Sequence, residues 1–150
     1  CYIRNEWTSL SDIGKSFADG ILTADEYIEA EKRYIDTAIH LAELAGCSYL
    51  TVSCIEGDSK DIVDSVNSHK LNHGLIESAK TIRQRLRISL NACQDYLRLC
   101  LREYCWAVFS NKTHNFLVKF GYDYYMHIHT VVPKNQVVEI VTRNGLYLRP

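Results

Sequence analysis

The chain has 150 residues, of which 47% are apolar, and this is enough for one ordinary hydrophobic core but leaves little for two. Its 17 basic and 18 acidic residues give a formal net charge of −1, so no general field draws the chain to nucleic acid, and we expect no direct nucleic-acid partner. No stretch approaches the roughly 20 apolar residues that span a bilayer, so we expect a cytoplasmic protein with no membrane partner.

The first third of the chain predicts helices. The segment from Ser9 to Gly20 has the character of a short first helix. Thr23-Ala24-Asp25-Glu26 then forms a capping box, in which the threonine hydroxyl and the glutamate carboxylate accept hydrogen bonds from free amide groups. Apolar residues at helical spacing follow, so we predict a long helix from about Ala24 to Ala45 that Gly46 ends.

The middle of the chain predicts one clear strand and one irregular stretch. Residues 48–55 are rich in β-branched and aromatic side chains, and their alternation places Leu50, Val52 and Cys54 on one face. Residues 56–80 are hard to assign, and a short helix around Asp61 to Asn67 followed by a mobile loop fits them best. We treat 56–80 as a variable, partly looped part of the domain.

The second half predicts more strands than helices. Arg83, Arg85 and Arg87 alternate with Ile82, Gln84, Leu86 and Ile88 over residues 81–89, which indicates a strand with a basic or solvated face. A helix over about 90–102 follows, and three strands at 104–109, 115–120 and 122–130 then form an antiparallel meander. Pro133 begins a last helix that ends at Asn144-Gly145, and residues 146–148 form a short strand. The order predicts a single α+β domain over 1–150, with an antiparallel or mixed sheet of about five to six strands and helices packed on it.

The six cysteines favour reduced thiols. Cys93 and Cys100 are seven residues apart on a predicted helix and share its apolar face, where a thiol acts as a small hydrophobic side chain. No two cysteines have the Cys-x-x-Cys spacing of a zinc site or a thioredoxin-like motif. We therefore predict a cytosolic protein that needs no cofactor.

The most aromatic run, 120–129, holds the best candidates for chemistry. On a strand, His127 and His129 point to the same face with their Cα atoms about 6.6 Å apart, and such a pair can bind zinc or iron. Asp123 shares that face but lies roughly 13 Å from His127, too far to complete a site with both histidines. We favour a half-solvated sheet, whose wetter face carries Asp123, Tyr125, His127 and His129 and whose core face carries Tyr122, Tyr124, Met126 and Ile128. A metal- or histidine-dependent enzyme centred on His127 and His129 is the alternative.

Other catalytic patterns are missing from the sequence. His69 and His73 have the spacing of a zinc-protease pair but lack the glutamate beside the first histidine, and a solvated loop explains them. No Gly-x-Ser-x-Gly turn and no phosphate-binding glycine run occurs among the seven glycines. We therefore predict no enzyme, no catalytic residue and no metal ligand.

Five sets of residues carry a family resemblance. They are Asn5-Glu6-Trp7-Thr8 with Asp12-Ile13-Gly14, Leu22-Thr23-x-x-Glu26-Tyr27, Leu101-Arg102-Glu103-x-x-Trp106, Phe120-Gly121-Tyr122-Asp123-Tyr124-Tyr125-Met126, and Asn144-Gly145-Leu146-Tyr147. Together they resemble a family of small bacterial proteins from polymorphic-toxin loci, which include the immunity proteins of contact-dependent growth inhibition systems. The resemblance spans most of the chain but leaves residues 56–80 without a match.

The resemblance implies a small cytoplasmic protein that performs no chemistry. It would bind the C-terminal toxin domain of a cognate effector and block its active site or an essential partner site. If the toxin is a nuclease, its groove is basic, and an inhibitor would present carboxylates and aromatic side chains to it. The candidate toxin-binding residues are the acidic run Glu56, Asp58, Asp61 and Asp64, together with Asp123, Tyr125, His127 and His129. The alternative for the acidic run is a solvated helix start and loop.

Overall fold

The computed structural model of the chain describes residues 9–72, 74–121 and 125–149. Within these residues the chain forms an α+β domain, as predicted. The helices are α1 (Ala24–Leu44), α2 (Ser59–Asn67), α3 (Ile76–Thr81), α4 (Cys93–Leu101) and α5 (Lys134–Arg143). The strands are β1 (Ser16–Phe17), β2 (Gly20–Ile21), β3 (Tyr49–Glu56), β4 (Arg87–Ser89), β5 (Trp106–Asn111), β6 (Phe116–Phe120) and β7 (Met126–His129).

The main sheet has five strands in the order β4-β3-β5-β6-β7, and every neighbouring pair is antiparallel. Of the two predicted alternatives, the antiparallel sheet is therefore confirmed. The register aligns Val52, Phe109, Val118 and Ile128 in one row across four strands. The first three are fully buried, so this row lies on the core face of the sheet.

All five helices pack on the core face. Ile35, Ile62, Ala79, Leu97 and Ile140, one from each helix, belong to the same hydrophobic cluster as the buried row of the sheet. Side chains that alternate with the buried ones point away from this cluster and are half-buried or exposed. We call this second surface the open face, and its side chains are Tyr49, Thr51, Ser53, Glu56, Arg87, Ser89, Trp106, Val108, Ser110, Leu117, Lys119, His127 and His129.

The long helix α1 forms where its sequence signals place it. Thr23 Oγ1 accepts a hydrogen bond from the amide of Glu26 at 3.2 Å, and the Glu26 carboxylate accepts one from the amide of Thr23 at 2.9 Å. The predicted stripe is buried, and Gly46 ends the helix with φ at +88°. No helix in the described part of the chain combines the length and the apolarity that crossing a membrane requires.

The predicted short first helix is wrong. Ser9 caps only one 3₁₀ turn, Leu10–Asp12, and Gly14 then adopts a φ of +88°. This left-handed conformation ends the helical geometry after one turn. The chain continues instead as the small β1–β2 hairpin.

Cys54 does not lie on the face that alternation predicts. The register of β3 against β5 shifts between Ser53 and Glu56, and Cys54 has a positive φ of 51° within this bulge. One extra residue in a strand reverses the direction of the side chains. The Cys54 side chain is therefore exposed, although Leu50 and Val52 are buried.

Three other segments differ from their predictions. In residues 56–80 the predicted short helix is confirmed as α2, but the part after it, predicted as a mobile loop, contains a 3₁₀ turn at Lys70–Asn72 and α3. The strand predicted at 81–89 is reduced to β4, because Arg85 has a φ of +66° and the extended geometry begins only after it. Residues 146–148 form no strand, and Tyr147 is 84% exposed.

Candidate functional site

The helix α2 displays most of the acidic run. Asp58 caps its first turn by accepting a hydrogen bond from the amide of Lys60 at 2.8 Å. Ile62 and Val66 are buried, and this fixes which side of the helix faces the core. Asp61 and Asp64 are exposed on the other side, three residues apart and therefore surface neighbours. Neither makes an ion pair with any residue that the structure describes.

Glu56 connects the acidic run to the sheet. It is the last residue of β3 and lies opposite Trp106, the first residue of β5. Gly57 follows with a φ of +124°, and a Cβ atom there would lie 3.3 Å from Cδ1 of Ile62. Only Gly57 and Asp58 separate the end of β3 from the start of α2. All four carboxylates of the acidic run are exposed.

The histidine pair lies on the edge strand of the open face. On β7, His127 is opposite Lys119 and His129 is opposite Leu117. Both histidines are exposed, whereas Met126 and Ile128 pack against the core. The predicted division of this strand into a wetter face and a core face is confirmed for these four residues. Asp123, Tyr122 and Tyr124, which belong to the same prediction, lie outside the described residues.

A third ligand for the histidine pair would have to come from another part of the fold. Among residues 9–72, 74–121 and 125–149, no three histidine, cysteine, aspartate or glutamate side chains are grouped as a metal site requires. His73 and Asp123 lie outside these ranges. The enzyme centred on His127 and His129 therefore stays an alternative that the structure does not test.

Tyr125 is already in contact with another part of the chain. Its carbonyl accepts a hydrogen bond from the amide of Gly121 at 2.8 Å. The guanidinium carbon of Arg149 lies 4.4 Å from the centre of its ring, a cation–π contact. One face of the half-buried Tyr125 ring is therefore already in contact with Arg149.

The predicted binding residues fall on two surfaces. Asp61 and Asp64 belong to the helix layer, which packs on the core face of the sheet. His127 and His129 belong to the open face on the other side. Asp61 and Asp64 therefore do not form one contiguous site with the two histidines, whereas Glu56 lies opposite Trp106 on the open face.

The open face also holds aromatic side chains that the sequence did not single out. The guanidinium carbon of Arg87 lies 4.0 Å above the ring centre of Tyr49, and Arg87 Nη2 donates a hydrogen bond to its hydroxyl at 3.3 Å. Trp106 is half-buried on the same face. The signal for Tyr49 was present, because it precedes the buried Leu50 in a strand and must point the other way.

A buried ionic cluster, Glu31, Arg98, Arg102 and Asn72, lies between α1 and α4. Arg102 donates from Nε and Nη2 to the two carboxylate oxygens of Glu31, at 2.7 and 2.9 Å. Arg98 donates from Nε to Oε1 of Glu31 at 2.7 Å. Burial alone would lower the pKa of Arg102, but the hydrogen bonds and the charge of Glu31 hold it above its ordinary value.

The ionic cluster also holds the turn after α2. Arg102 Nη1 donates to the carbonyl of Leu71 at 2.8 Å and to Oδ1 of Asn72 at 2.9 Å. Asn72 Nδ2 donates to the carbonyl of Val66 and to the hydroxyl of Tyr104, each at 2.7 Å. Both oxygens of the Glu31 carboxylate are occupied by arginine donors, so this arrangement positions α1, α4 and the turn after α2 relative to one another.

A groove of about 430 Å³ separates α1 from α5. His40, Glu43 and Leu44 line one side, and Glu139, Ile140 and Arg143 line the other. Arg143 pairs with Glu139, so the two charges on the α5 side neutralise each other. The groove is open to solvent and offers no nucleophile beside a base, which acyl-transfer chemistry would need.

Comparisons with known proteins found no family model, no curated protein and no solved structure that matches this chain. The resemblance to immunity proteins therefore rests on the sequence motifs. Of these motifs, the set Asn5-Glu6-Trp7-Thr8 lies outside the described residues, and Leu101-Arg102-Glu103 forms the turn that leads from α4 to β5.

Proposed function

We propose that this chain is an inhibitory binding protein that neutralises the C-terminal toxin domain of a cognate bacterial effector in the cytoplasm, without chemistry of its own. The family resemblance suggests the class of partner. The acidic run is the observation that supports the binding mode, because it presents exposed carboxylates along one short stretch of the surface.

The charge of the acidic run suits a nuclease toxin. A nuclease holds phosphates with basic side chains, and its groove carries a positive potential when the substrate is absent. Neither Asp61 nor Asp64 makes an ion pair within the described chain, so their charge is available to a partner. Carboxylates in this position would occupy the sites of substrate phosphates and also accelerate association.

The acidic run is displayed on a rigid support. Asp58 caps α2, and Ile62 and Val66 fix the helix to the core. Asn72 holds the last turn of the helix by its hydrogen bond to the carbonyl of Val66. Binding therefore orders few additional groups, and less of the interaction free energy is lost to conformational entropy.

Mixing the purified chain with the toxin domain that is encoded directly upstream tests the proposal. We expect a complex at micromolar concentration and loss of the toxic activity. The double variant Asp61→Asn/Asp64→Asn should bind at least about 10-fold more weakly at low salt, a loss of about 1.4 kcal/mol, because two charges facing a basic groove are removed. The control is Glu43→Gln, which removes an exposed carboxylate at the far end of α1 and should leave the affinity unchanged.

Two results would contradict different parts of the proposal. Absence of any complex at micromolar concentration would overturn the function itself. A complex that Asp61→Asn/Asp64→Asn leaves intact, but that His127→Ala/His129→Ala weakens, would place the interface on the open face and remove the acidic run from it.

A further inference from the structure

Two buried thiols face each other where α4 leads into β5. The Sγ atoms of Cys100 and Cys105 are 3.8 Å apart, and the two residues are only 3% and 1% exposed. Cys93 shares the apolar face of α4 with Cys100, but its sulfur lies 3.8 Å from the carbonyl of Ile88 instead. Within the described chain, the neighbour that the fold gives to Cys100 is therefore Cys105.

The backbone of the turn holds the two cysteines together. The amide of Glu103 donates to the carbonyl of Cys100, and the amide of Tyr104 donates to that of Leu99, each at 3.0 Å. Glu103 has a φ of +61°, which reverses the chain after the helix. Arg102 within the same turn is fixed by Glu31. Cys105 is thereby brought back beside Cys100 across a short, well-determined connection.

We propose that Cys100 and Cys105 form a redox site, in which a low-molecular-weight disulfide such as oxidised glutathione converts the two thiols into an intramolecular disulfide. The thiolate of one cysteine attacks a sulfur of the oxidant, which gives a mixed disulfide and one glutathione thiolate. The thiolate of the other cysteine then attacks the protein sulfur of the mixed disulfide and releases the second glutathione. The two cysteine protons end on the two glutathione molecules, so two thiols and one disulfide give one disulfide and two thiols.

Oxidation acts on a turn that is tied to other elements. The two sulfurs must approach from 3.8 Å to the bonded distance of about 2.05 Å, so oxidation requires movement within the turn. Arg102 and Tyr104 lie between the two cysteines, and both bind Asn72. The disulfide therefore changes the segment that holds the 3₁₀ turn Lys70–Asn72 against α4.

The reaction should be slow in the folded chain. The hydrogen bond between the two thiols, together with burial, raises the pKa of Cys100 well above its ordinary value. The thiolate is the reactive form, so the pair should react more slowly than the exposed Cys54. A test must therefore include conditions in which burial does not limit access to the oxidant.

The experiment compares the folded chain with chain refolded from denaturant, both in a glutathione redox buffer. After the free thiols are blocked, trypsin cuts at Arg98, Arg102 and Lys112, so Cys100 and Cys105 fall in the separate peptides 99–102 and 103–112. We expect these peptides to be joined as one species that reduction separates. The joined species should form faster during refolding than in the folded chain.

Two cysteine variants identify which thiols form the disulfide. Cys93→Ala removes another buried thiol of α4 and should leave the joined peptides present, whereas Cys105→Ala should abolish them. Because Cys105→Ala can itself impair folding, the peptide map of the unaltered chain is the result that decides whether Cys100 and Cys105 form a disulfide. Absence of the joined peptides in both arms while Cys54 is fully modified would overturn the proposal, and so would preferential bonding of Cys100 to Cys93.

Discussion

At the scale of single residues, the carboxylate of Glu31 matters most for the fold. It is 1% exposed and accepts hydrogen bonds from Arg98 of α4 and from Arg102 in the turn after α4. A buried ion pair contributes little relative to an apolar pair of the same shape, but removal of one partner leaves a buried charge without compensation. Arg102 is itself buried and cannot lose its proton, so its charge would remain.

Glu31→Gln should therefore lower the free energy of unfolding by about 3–5 kcal/mol, measured by urea denaturation. The control is Glu29→Gln, two residues earlier on the same helix, where an exposed carboxylate pairs with Arg33 at 3.4 Å. Glu29→Gln should lower the free energy of unfolding by less than about 0.5 kcal/mol, because exposed ion pairs within one helix contribute little to stability. Equal losses for the two variants would show that water, and not Glu31, compensates the arginines.

At the scale of elements, α1, α4 and α5 end in the same way. After each helix, one residue adopts a left-handed conformation: Gly46 with φ +88°, Glu103 with φ +61° and Gly145 with φ +70°. In each case the amide of this residue and the next amide donate to carbonyls of the last turn, which is the Schellman arrangement. Only α4 places a residue with a Cβ atom in the strained position.

Glu103→Gly should relieve this strain. A left-handed residue with a Cβ atom costs roughly 1–2 kcal/mol, whereas glycine loses roughly 0.5–1 kcal/mol of backbone entropy, so we expect a gain of a few tenths to about 1 kcal/mol in urea denaturation. Glu103→Ala removes the same side-chain contacts but keeps the Cβ atom, and should give no gain. A gain of equal size in both variants would place the effect in the side chain and not in the backbone.

The elements that were predicted correctly are those whose sequence signals, such as caps and apolar stripes, lie within the element itself. The helix α1 has a capping box, an apolar stripe and a terminal glycine within 24 consecutive residues, Thr23 to Gly46. The strand predicted at 81–89 alternates as a strand should, but its regular ladder with β3 covers only Arg87–Ser89. Arg85, with a φ of +66°, and Leu86 bond to the backbone of Val52 from a turn before that ladder. Pairing depends on a distant strand, and alternation alone cannot report it.

At the scale of the whole molecule, the candidate sites also divide into features that a local sequence pattern predicts and features that depend on long-range packing. Alternation was enough to predict which side chains of β7 face solvent, because it is a property of one strand. That Asp61 and His127 lie on different surfaces follows from the packing of every helix on one face of the sheet, which no local pattern contains. The ionic cluster joins Glu31 to Arg102 across 71 residues and was missed for the same reason.

The single core also predicts how the chain unfolds. Because every helix buries side chains in the cluster that includes the central row of the sheet, no helix can separate without exposing the others, and unfolding should be all-or-none. Far-UV circular dichroism, which reports the helices, and tryptophan fluorescence should give coincident urea transitions. The fluorescence is measured in a Trp7→Phe background, so that it reports Trp106 at the end of the open face. Leu97→Ala, at a residue with 0% exposure, should move both transitions together by about 2–5 kcal/mol.

The matched control for Leu97→Ala is Leu44→Ala, at a leucine of α1 that is 53% exposed, and it should change neither transition by more than about 0.5 kcal/mol. Separate midpoints for the two probes would mean that the sheet and the helix layer have independent stabilities. In that case Leu97→Ala should shift the circular dichroism transition alone, since α4 belongs to the helix layer. If both layers share one core, the two transitions should coincide in every variant. They should shift together in Leu97→Ala and stay in place in Leu44→Ala.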